Sequence, residues 1–387
     1  MSITNRLLKA IFYPLLITLM LTGCSTEKPK AGVKSYFDAN APADLESEVV
    51  YAKGFDIYRW SEIIKVVVYH PEIRKMVIGE YFIVPAELAG KFDDSTNMII
   101  APADSIAVFS ATQLNALDKL DKLDCVVGIS ESKYIINPNV REKLAKGEIH
   151  ELATLSDFFV EKTISVNPSM IFYSPFKVTE SHSLDVTGIP LIFYYDYFEM
   201  DPLGRAEWVK FTAAFIGELP KADSIFKEVV DSYEQMKQLT RDVDYKPTVF
   251  SDKYFNGQWF IPGGKSYIAQ IFSDAGANYL WAGDEHSASF PLDYEVVYSK
   301  AYDADFWRII GSYDDEPSYE GLGEENELYQ HFTAFKEKRV IYCNAKGTAY
   351  FETSPLEPHL LLADLIKVFH PSLLPGYKPK YYKLLKD

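Results

Sequence analysis

Residues 201–243 read DPLGRAEWVKFTAAFIGELPKADSIFKEVVDSYEQMKQLTRDV and carry almost no strand pattern. The sequence predicts two helices here, over residues 206–216 and 222–241, with Pro220 as the break between them. In the second helix, apolar side chains recur mostly at spacings of three and four residues, which is typical of one buried helix face. About 20 helical residues reach ~30 Å, the width of a small domain. The stretch therefore predicts a helical connector between two parts of the chain.

Short apolar runs alternate with helical patterns on both sides of this connector. Strands are predicted at 63–69, 81–84, 98–101, 106–110, 125–129, 170–173, 191–195, 248–251, 259–261, 306–310 and 339–343. Helices are predicted at 112–123, 155–166, 266–275, 293–300 and 358–369. Strands that alternate with helices favour α/β lobes with largely parallel sheets. We expect a first lobe over residues 49–200, connecting helices over 201–243 and a second lobe over 244–387, because one core stops growing near ~250–300 residues.

The first 23 residues have the features of a secretory signal peptide. Arg6 and Lys9 precede an apolar run over residues 10–21, which is shorter than the ~20 apolar residues that span a bilayer comfortably. The run ends in Leu21-Thr-Gly-Cys24, which is similar to a lipobox. We expect removal of residues 1–23 and acylation of Cys24, which predicts a periplasmic lipoprotein held at the membrane by its lipid alone.

Charge and cysteine content narrow the function further. Residues 24–48 are polar and are predicted to form a flexible tether. The net charge of −16 argues against nucleic acid as a partner, because phosphates require basic surfaces. Cys125 and Cys343 lie in separate apolar runs, so we expect two buried free thiols rather than a disulfide.

Four stretches of the sequence together resemble a known family. They are Asp201–Trp208, Pro262–Ala269 with Asp274–Asn278, Phe158–Ser169, and Pro358–Leu365 with Phe369–Pro371. Phe158–Ser169 is similar to a first-lobe pattern L-E-x-I-x-x-L-x-P-D, although Asn-Pro-Ser stands where Lys-Pro-Asp is usual. The family is the class of periplasmic substrate-binding proteins whose two lobes are joined by a long helix, with members for ferric siderophores, haem and vitamin B12. Within it, the chain most resembles Bacteroidota-type lipoproteins of iron transport.

The resemblance implies a class III periplasmic binding protein with a helical backbone between two mostly parallel α/β lobes. It implies a monomer without catalytic residues or a resident cofactor, which delivers a ligand to an ABC permease and its ATPase. The implied ligand is a ferric siderophore or haem, and cobalamin is the alternative. Glu161 and Glu295 match the positions at which members of the family dock to arginines of the permease.

Ligand contacts are expected on the loops that follow the strands, where open α/β sheets bind ligands. The candidates are Thr112, Tyr134, Phe176, Lys177, Tyr197, Tyr254, Trp259, Lys265, Tyr267, Tyr350 and Glu352. Aromatic walls with a few polar groups suit a bulky organic ligand. Lys177, Lys265 and Lys346 suit an anionic chelate or haem propionates, and His182 or Tyr254 offers an axial ligand for haem.

The residues give little sign of a metal site or of an enzyme. The seven histidines form no H-x-x-H or H-E-x-x-H set, although a chelated metal would need none because the chelator supplies its ligands. A G-x-S-x-G elbow, a P-loop and a G-x-G-x-x-G turn after a strand are all missing from the sequence. A lipid-anchored α/β enzyme is the alternative from a different functional class.

Overall fold

The computed structural model describes residues 30–73, 75–93, 97–154, 157–174 and 182–387. The predicted signal peptide and Cys24 lie outside these residues. Within the described ranges, no helix is both long and apolar enough to cross a bilayer.

Strands and helices alternate through most of the described chain. The strands are β1 Phe55–Trp60, β2 Ile63–Tyr69, β3 Val77–Pro85, β4 Met98–Ala101, β5 Ile106–Val108, β6 Val126–Ser130, β7 His150–Thr154, β8 Asp157–Phe158, β9 Met170–Tyr173, β10 Leu191–Phe193, β11 Thr248–Ser251, β12 Tyr254–Phe255, β13 Gln258–Pro262, β14 Asn278–Tyr279, β15 Ser289–Leu292, β16 Phe306–Gly311, β17 Val340–Asn344 and β18 Lys383–Leu384. The α-helices are α1 Val33–Asn40, α2 Ala86–Ala89, α3 Thr112–Lys119, α4 Pro138–Lys146, α5 Val160–Val166, α6 His182–Asp185, α7 Pro202–Ile216, α8 Leu219–Leu239, α9 Tyr267–Asp274, α10 Tyr294–Ala301, α11 Tyr319–Glu325, α12 Thr333–Lys336, α13 Tyr350–Thr353 and α14 Pro358–Phe369. Short 3-10 turns cover Leu123–Cys125, Ser132–Tyr134, Asp196–Phe198, Glu327–His331 and Ser354–Leu356.

Each lobe is built on one mostly parallel sheet. In the first lobe the strand order is β10-β9-β5-β6-β7-β8, and only the β7–β8 pair is antiparallel. In the second lobe the order is β14-β11-β16-β17-β18, and only the β17–β18 pair is antiparallel. A small antiparallel sheet of β12, β13 and β15 belongs to the second lobe. The predicted α/β class with mostly parallel sheets is confirmed.

An N-terminal module precedes the first parallel sheet; it consists of α1 and the four-stranded sheet β1-β2-β3-β4. Its first three strands are antiparallel, and β4 pairs with β3 in parallel. In α1, Val33 and Phe37 are buried in one apolar cluster with Ile63, Phe82 and Val84 of this sheet. The prediction of a flexible tether over residues 24–48 is therefore corrected for residues 33–40. Two apolar side chains four residues apart give this segment a face to bury.

The connector consists of two helices, α7 and α8, and the chain turns at Gly217 rather than at Pro220. Gly217 has a φ of 74°, the left-handed conformation that favours glycine at the end of a helix. Pro220 lies in the first turn of α8, where its missing N–H costs no hydrogen bond. At the start of α7, the Asp201 carboxylate accepts hydrogen bonds from the N–H groups of Leu203 and Gly204, at 2.7 and 3.0 Å.

Helix α7 is buried on all sides, as expected of a helix inside a protein core. Its aromatic residues Trp208, Phe211 and Phe215 pack against rings of the N-terminal module and of the first lobe. Helix α8 is amphipathic and packs between α7 and α14, the last helix of the second lobe. The connector thus contacts both lobes along its length instead of linking them at one point.

Two buried carboxylates attach the N-terminal module to this core. Glu207 of α7 accepts hydrogen bonds from the backbone N–H groups of residues 50–52, the shortest at 2.7 Å. Glu199 accepts bonds from the N–H groups of residues 53 and 54 and from the indole of Trp208 at 3.0 Å. Burial raises the pKa of Glu199, although these donors act in the opposite direction. Five consecutive backbone donors are therefore held by two side chains of the core.

We predict that Glu207→Gln lowers the free energy of unfolding by about 2–4 kcal/mol, because the amide turns a donor toward the N–H groups that the carboxylate accepts. The substitution also removes the ion pair with Lys210, whose nitrogen lies 3.2 Å away. Urea unfolding followed by tryptophan fluorescence measures the change. Glu228→Gln, at an exposed position of α8, is the control and should change stability by less than about 0.5 kcal/mol. An equal, small effect of both substitutions would contradict the role of Glu207.

Candidate functional site

The two lobes meet beside the start of α7, where strands of both parallel sheets end. Asp196 follows β10 and is almost fully buried. Its carboxylate accepts a hydrogen bond from the Thr112 hydroxyl at 3.1 Å and contacts Arg205 Nε at 3.4 Å. Burial raises the pKa of Asp196, and the neighbouring Arg205 guanidinium opposes that rise. The first lobe thus presents a carboxylate to a cation of the connector.

From Arg205, a row of tyrosine side chains that contact one another extends into the second lobe. The Arg205 guanidinium lies 5.1 Å from the centre of the Tyr267 ring, within the range of a cation–π contact. The Tyr267 hydroxyl is 2.8 Å from that of Tyr350, which in turn accepts a bond from Tyr382 at 3.0 Å. Arg308 donates to Tyr382, at the far end of the row. This polar row joins Asp196 of the first lobe to the second lobe through the connector.

The lobes also touch each other directly through what we term the interlobe clasp, formed by Glu352 and Asn115. The Glu352 carboxylate accepts bonds from the backbone N–H groups of Ile136 and Asn137, the latter at 3.0 Å. The Asn115 amide donates to the carbonyl of Thr353 at 3.0 Å. Burial raises the pKa of Glu352. Glu352 was expected to contact a ligand; this expectation is wrong, because its carboxylate is already used between the lobes.

Two predicted ligand contacts are core residues instead. Trp259 has no exposed surface, donates to the Ser251 carbonyl at 2.9 Å and packs against Trp307. It lies at an inward-facing position of β13, and large aromatic side chains dominate cores of this kind. Tyr350 is also buried, because its hydroxyl lies inside the polar row.

The remaining aromatic candidates that the structure describes, and Phe351 beside Glu352, are exposed or half-buried. Tyr134 of the first lobe is 58% exposed and lies two residues before Ile136, whose N–H group binds Glu352 in the clasp. Phe351 of the second lobe is 56% exposed and lies next to Glu352. Tyr197, Tyr254 and Tyr267 are half-buried. The clasp is therefore flanked by exposed rings from both lobes.

The predicted basic residues are less suited to a ligand. Lys265 and Lys346 are exposed, and each pairs with an exposed carboxylate of the second lobe, Glu285 and Asp314 respectively. Phe176 and Lys177 lie outside the described residues, as does the side chain of His182. The cation that the structure places between the lobes is Arg205, which the sequence analysis did not select. Its position four residues after Asp201, at the boundary of lobe and connector, is the signal that could have identified it.

The surface cavities of the described residues lie away from the junction. Two surface cavities of about 210 and 400 Å³ border the N-terminal module and not the junction of the lobes. At the junction, in contrast, polar side chains of both lobes meet the connector at Arg205. No group of three or more histidine, cysteine or acidic side chains in the described ranges could hold a metal ion.

The two glutamates proposed for docking occupy equivalent helix positions on separate lobes. Glu161 is the second residue of α5, and Glu295 is the second residue of α10. Both are exposed, while Thr163 and Val297, two residues further along each helix, are fully buried. The two carboxylates therefore point outward in the same way from the two lobes.

Comparisons with known proteins agree with this architecture. The sequence profile described as "Periplasmic binding protein" matches residues 106–346, which is more than half of the chain. An uncharacterized lipoprotein of Methanocaldococcus jannaschii is 25% identical over 95% of this chain and 94% of its own length. The profile match begins at β5, so the N-terminal module lies outside it.

Solved structures show the same fold at low sequence identity. A periplasmic heme binding protein of Pseudomonas aeruginosa matches 74% of this chain and 99% of its own, with a TM-score of 0.59 and 14% identity. The siderophore binding protein BauB, solved with two molecules of acinetobactin and ferric iron, matches 79% of this chain and 99% of its own, with a TM-score of 0.56 and 18% identity.

Proposed function

Because the chain belongs to the periplasmic binding protein family and has its class III fold, we propose that it is the substrate-binding lipoprotein of an ABC importer for an iron chelate. The family and its structural neighbours are binding proteins, and the chain is a binding protein rather than an enzyme. The observation that carries the proposal is the junction of the lobes, where Tyr134 and Phe351 expose rings from opposite lobes. A bulky organic ligand is held by apolar walls of this kind with a few polar groups.

The ligand class draws support from two structural neighbours. The Pseudomonas aeruginosa protein is described as binding heme, and BauB is described with a siderophore and ferric iron. We propose that this chain captures a ferric siderophore or haem at the junction of its lobes. The chelator would supply the metal ligands, so the protein needs none of its own.

The proposed function is tested by titrating the purified protein with ferric siderophores, haemin and cyanocobalamin while tryptophan fluorescence is recorded. We expect saturation at one iron chelate per chain, with the chelate recovered unchanged after unfolding, because the protein binds and releases without chemistry. Selective binding of cyanocobalamin would show that the ligand is a corrinoid and not an iron chelate. Conversion of a ligand into a product would contradict a binding function altogether.

A lipid anchor at Cys24 completes this proposal and places the protein outside the cytoplasm. The Methanocaldococcus jannaschii relative is described as a lipoprotein, which supports this assignment. We predict that Cys24→Ala releases the protein from the membrane fraction and leaves ligand affinity unchanged, since Cys24 precedes α1 in the sequence and α1 packs on the sheet of the N-terminal module, away from the junction of the lobes. Cell fractionation and ligand titration measure the two effects. Retention of the Cys24→Ala protein in the membrane fraction would contradict acylation at this position.

Docking to the permease is proposed to use Glu161 and Glu295. We predict that Glu161→Ala and Glu295→Ala reduce uptake into vesicles that contain the permease and leave ligand affinity unchanged. Exposed ion pairs contribute ~0.2–1 kcal/mol, and truncation of a pair that docking desolvates costs ~2–5 kcal/mol. The double variant should transport less than either single one, because the two contacts lie on separate lobes.

Glu228→Ala, at an exposed position on the connector, is the matched control for docking. Normal uptake by the Glu161→Ala, Glu295→Ala double variant would remove the docking role. A loss of ligand affinity would assign the two carboxylates to ligand binding instead.

A further inference from the structure

The Arg205 guanidinium is the least satisfied cation at the junction of the lobes. Only 12% of its side chain is exposed, so water cannot surround it. An arginine has five N–H donors in a planar fork. Within the described part of the chain, Nε alone makes a hydrogen bond, to Asp196 at a long 3.4 Å. The terminal nitrogens Nη1 and Nη2 donate to no described acceptor, so four N–H groups are available to another molecule.

Other cations with little exposed surface are better paired than Arg205: Lys210 of the connector contacts Glu207 at 3.2 Å, and two cations of the second lobe also have close carboxylate partners. Arg308 donates to Asp252 at 2.7 Å and also to Tyr382. Lys253 contacts both carboxylate oxygens of Glu325, at 2.5 and 2.8 Å. Burial of a cation is costly unless charged partners and hydrogen bonds compensate for the lost water. Arg205 is therefore the cation at this junction that a further anion would stabilise most.

The surroundings of Arg205 also fix the direction of its fork. Asp196 holds Nε on the side of the first lobe, and the Tyr267 ring covers the guanidinium on the side of the second lobe. Tyr267 is itself held by the Tyr350 hydroxyl at 2.8 Å. A guanidinium fixed on both sides loses little conformational freedom when it binds, and its fork matches the two oxygens of a carboxylate or a similar oxyanion.

We propose that Arg205 binds an oxygen of the ligand that keeps negative charge in the iron complex, and thereby selects chelates with a net negative charge over neutral or cationic ones. This inference rests on the proposed function and names the feature that the ligand must carry. A haem propionate and a catecholate or carboxylate oxygen of a siderophore share this chemistry. Asp196 occupies only Nε of the fork, so the terminal nitrogens keep their N–H donors for a second oxyanion.

Matched pairs of probes distinguish the two sources of the oxyanion. Haemin is compared with its dimethyl ester, in which both propionates are uncharged. Ferric enterobactin, a trianionic tricatecholate, is compared with ferrioxamine B, a cationic trihydroxamate. We expect the wild-type protein to bind the anionic member of one pair more tightly by at least about tenfold, as lost hydrogen bonds to a charged group are worth roughly a factor of 10 to 100.

Three variants test the role of Arg205 in this preference. Arg205→Lys keeps the charge beside Asp196 and removes the fork, so we expect it to fold and to lose most of the preference for the anionic probe. The Asp196→Asn, Arg205→Gln double variant leaves no unpaired buried charge, and it should bind both members of the pair equally. Arg339→Gln, which removes an exposed arginine paired with Glu337 and Asp305, is the control and should retain the wild-type preference. Circular dichroism and thermal unfolding confirm that each variant is folded.

The outcomes separate this inference from the proposed function. Tight binding of an iron chelate with an unchanged preference in Arg205→Lys would overturn the role of Arg205 and leave the proposed function intact. Equal affinity of the wild-type protein for both members of the pair that it binds would likewise overturn the role of Arg205 and leave the proposed function intact. Failure to bind any of the four iron compounds would overturn the proposed function itself, and the inference with it.

Discussion

Burial of helix α7 on all sides constrains most of the molecule. A helix without a solvent-facing side must find partners for every polar group it carries, because unpaired polar groups are costly in a core. Glu207 does so by accepting three backbone N–H groups of the N-terminal module, and Thr212 by pairing with the Tyr194 hydroxyl of the first lobe. Arg205 is the residue of α7 that is not fully buried, and it lies where the lobes meet. The same constraint that fixes the fold thus leaves one charged group facing the junction.

The connector and the interlobe clasp together determine how the lobes can move. Helix α8 packs against α14 of the second lobe, while α7 packs against the first lobe and the N-terminal module. Glu352 and Asn115 add direct hydrogen bonds between the lobes next to this connector. Large hinge bending would break packing along two helices at once. In the proposed function, the ligand therefore enters between lobes whose base is already assembled, and the exposed rings of Tyr134 and Phe351 beside the clasp are the parts that can adapt to it.

Much of the fold followed from periodicity and helix-ending residues in the sequence. The last helix was predicted at 358–369 and lies at Pro358–Phe369, and the helix predicted at 266–275 is capped by Ser266 as its hydroxyl allows. Pattern alone placed the connector break at Pro220, because a proline ends a helix as readily as it begins one. The chain turns at Gly217 instead, because the packed structure requires a residue in the left-handed conformation at that point.

The site was harder to predict than the fold, because it depends on contacts between residues that are distant in the sequence. Loops after strands led to Thr112 and Tyr267, which lie at the junction of the lobes, but position in a loop does not reveal what a side chain contacts. Trp259 and Tyr350 are buried by residues that are distant in the sequence. The Glu352 carboxylate accepts hydrogen bonds from backbone N–H groups more than two hundred residues earlier. Arg205 was overlooked because a charged residue in the first turn of a helix is usually solvated. Its significance appears only when Asp196 and Tyr267 are brought to either side of it.

The most direct test of this account is the identity of the metal and ligand that the protein retains when it is purified gently from the cells that produce it. Elemental analysis and absorbance spectroscopy of the same sample are sufficient. We expect up to one iron per chain, together with either a porphyrin Soret band or the visible charge-transfer band of a ferric chelate, and an iron complex with a net negative charge. Cobalt with a corrinoid spectrum, or an iron complex that is neutral or cationic, would contradict this expectation.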